Sequence, residues 1–94
     1  MKVLICGVPP NKVSATEQAL PDADLRVISC KEGAKAWRRK VIPTDLCIVI
    51  TDLVAHENLV RVRMIFGRSY VAAQTYNEAM RIAANAVANE RKSQ

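Results

Sequence analysis

The sequence predicts an α/β fold, a four-stranded parallel sheet with helices on both faces. Three observations point to it. Short apolar runs alternate with helical patterns four times along the 94 residues. The strongest run, LCIVI at Leu46 to Ile50, has no polar alternation, as a strand requires when helices cover both its faces. Helix-start signals of the Ser/Thr-x-x-Glu kind follow the first, second and fourth runs.

The elements follow in order. KVLICGV, Lys2 to Val8, reads as a first strand, ended by Pro9 and Pro10. SATEQAL is a first helix, with Ser14 and Glu17 spaced as a capping box and Pro21 closing it. DLRVIS, Asp24 to Ser29, is a second strand with Leu25, Val27 and Ile28 inward. Ser29 and Glu32 repeat the box before a helix carrying Ala34, Trp37 and Val41 on one face, and Pro43 interrupts it. DLCIVIT, Asp45 to Thr51, is the third strand. A third helix follows and stops near Gly67. SYVAAQ, Ser69 to Gln74, is a weaker fourth strand. Thr75 and Glu78 then open an Ala-rich helix to about Arg91, with Tyr76, Met80, Ala83 and Val87 as its buried stripe.

Strands alternating with helices imply right-handed crossovers and therefore parallel pairing. The order 2-1-3-4 follows because the first and third runs are the most apolar and belong in the centre. This is a small three-layer Rossmann-like or flavodoxin-like architecture with four helices, a single domain over residues 1–94, its last three or so residues fraying.

Composition narrows the function classes. Half of the residues are apolar and 24% are charged, a globular balance. No apolar run approaches the roughly 20 residues needed to cross a bilayer, and the run Val3 to Val8 is short for the core of a signal peptide. A cytoplasmic protein with no membrane partner is expected. Cys6, Cys30 and Cys47 are odd in number and form no C-x-x-C pair, and His56 is the lone histidine, so no metal site is expected. No cofactor is expected either. A dinucleotide loop wants three glycines, whereas CGVPPNKVS offers only Gly7 and loses two N–H donors to proline.

In an open parallel sheet, ligands bind beyond the carboxyl ends of the strands where the strand order reverses. That rule gathers Cys6, Gly7, Lys12, Thr51, Asp52 and His56 as ligand-pocket candidates, with Arg63 seven residues along the same helix flank as His56. Asp52 and His56 have the spacing of an orienting carboxylate and a base, or of a clasp at a strand-to-helix junction. They lack a nucleophile and an oxyanion donor, so no catalytic residue is assigned. Cys6 has two readings: a buried core thiol, or a thiolate for phosphoryl transfer with its pKa lowered by a helix N-terminus.

On the third helix, Ala55, Leu59, Val62 and Phe66 form the face expected to meet the sheet. Val60 and Met64 fall on the outward side and mark a partner surface, for which a second copy of the chain is the simplest occupant. The formal charge of +5 comes from 14 basic and 9 acidic residues. Lys31, Lys35, Arg38 and Arg39 cluster on the second helix, and Arg61 and Arg68 decorate the third. Together they are candidates for contact with nucleic-acid phosphates.

The 28-residue stretch TDLCIVITDLVAHENLVRVRMIFGRSYV resembles the core of a bacterial family, domain of unknown function 2325. Asp45, Thr51, Asp52, His56, Arg63 and Gly67 occupy the positions of its motif, and the first strand ending in Gly7 matches its start. Ala55 stands where the family has a helix-capping serine, Arg63 where it has a lysine, and Val8 where it has a second glycine. The resemblance implies a Rossmann-like fold in a bacterial setting and no particular reaction. Taken together, the expectation is a non-enzymatic, homodimeric regulatory module of a bacterial, phage or plasmid process, with protein or nucleic-acid partners. The alternative is a small-ligand or cysteine-dependent phosphoryl-transfer domain.

Overall fold

In the computed structural model residues 1–92 are described. Of the end expected to fray, Lys92 is helical, and Ser93 and Gln94 lie outside the described residues. Among the described residues the strands are β1 (Lys2–Val8), β2 (Asp24–Ser29), β3 (Leu46–Ile50) and β4 (Val71–Ala73). They form one parallel sheet in the order β2-β1-β3-β4, as the apolar ranking of the runs predicts. The helices are α1 (Val13–Gln18), α2 (Ala34–Lys40), α3 (His56–Phe66) and α4 (Tyr76–Lys92).

Right-handed crossovers dictate which face each helix takes. The step from β1 to β2 runs one way along the sheet, and the steps from β2 to β3 and from β3 to β4 run the other. One core cluster accordingly joins Val3, Ile5, Ile48 and Ile50 to Val13 of α1 and to Ala79, Ala83 and Val87 of α4. The other joins Leu4, Cys6, Cys47 and Val49 to Trp37 and Val41 around α2 and to Val62 of α3. Strand alternation deals neighbouring residues to opposite clusters, so β1 is buried continuously from Val3 to Val8. Trp37 fills the second cluster completely, although its indole N–H finds no acceptor among the described residues.

Four local expectations need correction. α1 begins before Ser14: a 3₁₀ turn at Pro10–Lys12 leads into it, and its cap is Lys12 with no side-chain bond. Proline's fixed φ starts the helical geometry early and leaves Ser14 inside the helix. Ser29 and Glu32 do bond, the Ser29 N–H donating to Glu32 Oε2 at 2.7 Å, but they close a turn ahead of α2, whose cap is Gly33. Ala34 and Ala55 are exposed, because each stands at the edge of its helix rather than over the sheet. In α4 the stripe is Ala79, Ala83 and Val87, with Tyr76 and Met80 only half-buried beside it. The small alanines let α4 lie close to β3.

The Thr75–Glu78 box forms with its return bond one residue earlier than the N-cap. The Glu78 N–H donates to Thr75 Oγ1 at 3.1 Å, and the Gln74 N–H donates to Glu78 Oε2 at 3.2 Å. Thr16 ties α1 to α4. Its buried hydroxyl donates to the Lys12 carbonyl at 2.6 Å and receives the Tyr76 hydroxyl at 2.6 Å, while Lys12 Nζ lies 4.9 Å from the centre of the Tyr76 ring. A hydroxyl has one hydrogen, so Thr16 donating to Lys12 makes Tyr76 the donor to Thr16.

Candidate functional site

The end of β1 decides what happens at the point where strand order reverses. Gly7 has φ +93°, and the β1–β2 register shifts between Cys6 and Val8. A Cβ on Gly7 would lie 2.7 Å from Val54 Cγ2 and 3.2 Å from the Ile50 carbonyl oxygen. The loop after β3, which turns through a 3₁₀ segment at Thr51–Leu53, thus lays Val54 directly on the backbone of β1. Val54 packs with the α2/α3 core cluster. An apolar side chain therefore fills the space between Gly7 and the loop after β3.

The residues expected to line that crevice are dispersed. Lys12 is turned onto Tyr76 on the α1/α4 side. Thr51 Oγ1 donates to the Ala73 carbonyl at 3.3 Å and extends the β3–β4 pairing by one bond. Asp52 and His56 are both exposed, and His56 is the first residue of α3. Arg63 points away from that end, its Nε donating to the Tyr70 hydroxyl at 3.2 Å.

Cys6 meets the opposite of the environment that a reactive thiolate needs. Its thiol is fully buried within β1 and shares a hydrogen bond with Cys47 across the sheet. That bond, burial and the neighbouring Cys47 thiol together push the Cys6 pKa well above the ordinary thiol value. The phosphoryl-transfer reading of Cys6 is corrected accordingly, since attack requires an accessible thiolate. Among the described residues no three of His, Cys, Asp and Glu gather where they could hold a metal ion. Likewise no described helix is long and apolar enough to cross a membrane.

Polar chemistry collects elsewhere. A groove of 730 Å³ runs between the end of α3 and the edge strand β4, lined by Arg63, Gly67, Arg68, Tyr70 and Ala72. It exists because the α2/α3 layer does not reach the edge of the sheet. Val71 and Ala73 pack into the α1/α4 cluster, so Ala72 faces the other side, where it is exposed. Only Arg63 was marked for a pocket by the sequence, and Arg68 was marked for phosphate contact. Gly67 was visible as the stop of the third helix and as a motif position, whereas Tyr70 and Ala72 had no local signal.

The basic residues of α2 and α3 come from one layer of the molecule, because both helices pack on the same side of the sheet. Lys31, Lys35, Arg38, Arg39 and Arg68 are exposed. Arg61 is half-buried, and its Nε is enclosed without a partner among the described residues. Lys40 is committed to Glu32. Burial raises the Glu32 pKa, but the Lys40 and Ser29 hydrogen bonds and the Lys40 and Arg39 charges outweigh it and hold the carboxyl below its usual range. A depressed carboxylate pKa makes this clasp present at neutral pH and lost as acid protonates Glu32. Outward on α3, Val60 is 41% and Met64 79% exposed.

No protein-family model matches the chain, and neither the curated proteins nor the solved structures include a match.

Two outcomes are expected from this geometry. Gly7→Ala destabilises the fold by at least about 1–3 kcal/mol from backbone strain alone, before the clash with Val54 is added. Gly33→Ser, at a helix cap with nothing within 4 Å of its Cβ position, changes stability little. Urea denaturation of both variants measures the contrast. Second, a thiol reagent at neutral pH labels Cys30, the half-exposed cysteine, well before Cys6 and Cys47, which react only after unfolding. Mass spectrometry of the labelled peptides over time checks the order.

Proposed function

We propose that the chain is a non-enzymatic interaction module that self-associates through the outward face of α3. The observation that carries this reading is the exposure of Val60 and Met64, one turn apart on a helix whose inner face is already satisfied by Leu59, Val62 and Phe66. Leu53 and Ile65 add apolar surface near the two ends of the helix. A two-fold axis through the middle of α3 would set Val60 against the partner's Met64. The antiparallel helices would also oppose their dipoles favourably. A cytoplasmic regulatory role in a bacterial, phage or plasmid process belongs to the same proposal. So does kinship with domain of unknown function 2325, which rests on the motif positions Asp45, Thr51, Asp52, His56, Arg63 and Gly67.

A second reading, contact with nucleic acid, is favoured by the exposed basic residues on and beside α2 and α3, two helices of one layer. Lys31, Lys35, Arg38, Arg39 and Arg68 would neutralise phosphates there, with Arg61 contributing less because it is half enclosed.

Sedimentation velocity at micromolar concentration is expected to give a dimer. Val60→Asp and Met64→Asp convert it to a folded monomer with unchanged circular dichroism, and a monomeric wild-type chain overturns the reading. For nucleic acid, log affinity is expected to fall linearly with log salt, with a slope of about −0.7 per phosphate on a single strand. Charge reversal at Arg38 and Arg39 flattens that slope, and salt-insensitive binding overturns this second reading.

A further inference from the structure

We propose that the groove between the end of α3 and β4 is a binding site for a small phosphate-bearing ligand, with Arg63 and Arg68 as its anion-binding pair. The groove has charge, shape and a positioned donor, each from a separate observation. Its two arginines belong to neither of the described salt bridges, which join Met1 to Glu90 and Lys40 to Glu32. The C-terminus of α3 carries about half a negative charge, so two guanidinium groups beside it leave the groove clearly positive. Their neutralising the helix end accounts for only part of their charge.

The positioning comes from Tyr70. Its hydroxyl accepts from Arg63 Nε and fixes the side chain along the groove wall. The remaining guanidinium N–H donors stay available, and their planar fork matches phosphate oxygens. Gly67, at φ +61° with nothing within 4 Å of its Cβ position, turns the chain between the arginines without placing a side chain in the groove. Ala72 supplies a shallow floor on the uncovered face of β4. At 730 Å³ the space is far larger than a bare phosphate and falls in the range of small-molecule sites. The ligand is therefore a phosphate or diphosphate ester with an organic group, carried by a free nucleotide or by the end of a nucleic-acid strand. The site does not depend on self-association through Val60 and Met64.

The test is a ¹H–¹⁵N titration at constant ionic strength with inorganic pyrophosphate, ADP, a 5′-phosphorylated trinucleotide and succinate. Saturable shifts at Gly67, Arg68, Tyr70 and Ala72 are expected with pyrophosphate, and tighter binding with ADP or with the trinucleotide tells which source the groove prefers. R63Q/R68Q weakens pyrophosphate about tenfold or more, whereas R38Q/R39Q, which removes the same charge from α2, changes it less than about twofold. Tyr70→Phe weakens it by about threefold, with the spectrum otherwise preserved. Equal weakening by the two double variants would mean nonspecific charge attraction and overturn the proposal. Tighter binding of succinate than of pyrophosphate, or no saturable shift in the groove, would overturn it as well.

Discussion

Everything in this fold depends on β1 being dry on both faces and hydrogen-bonded along both edges. Val3 to Val8 are buried without interruption, with β2 on one side and β3 on the other. A strand so placed offers no position for a polar side chain, and its sequence has none between Lys2 and Pro9. Apolar burial at about 25 cal/mol per Å² makes such a strand the main source of stability in a small domain. The same dryness explains the chemistry of Cys6: a thiol enclosed there is kept protonated, so it packs rather than reacts.

The end of β1 sets the second constraint. In doubly wound sheets the reversal of strand order leaves an opening between two loops, and ligands commonly use it. Here the backbone of Gly7 and the side chain of Val54 meet at that place. The left-handed geometry of Gly7 makes the close approach feasible, because any Cβ would occupy the space that Val54 takes. Closure at one end of the sheet coincides with incomplete cover at its edge, where α3 leaves Ala72 bare. The concavity has thus moved from the loop ends to the flank of β4.

The sequence disclosed the sheet more readily than its surface. Strand positions and their order were legible because KVLICGV and LCIVI are uninterrupted apolar runs, and uninterrupted runs belong in the middle of a parallel sheet. The capping box at Thr75 was legible because it depends only on residues three apart. The start of α1 was misread because Pro9 and Pro10 impose a turn before Ser14 can act as a cap. The closure of Gly7 by Val54 joins positions far apart in the chain, and no local pattern encodes it. The groove is harder still to read, since it arises where a helix falls short of a strand. Arg63 and Arg68 were visible as basic residues, but their convergence with Tyr70 depends on the turn at Gly67.

The strand order also has a consequence for how the chain is made. Val3 pairs with Leu25 on one side and with Leu46 on the other, so β1 cannot complete its ladders until β3 has been synthesised. At about 5–20 residues per second the interval from β1 to β3 lasts roughly two to nine seconds, long compared with helix formation. During that time β1 has at most one edge satisfied. The chain is born with its centre unfinished, and the ribosome rather than the native contacts sets the pace at which that centre can close.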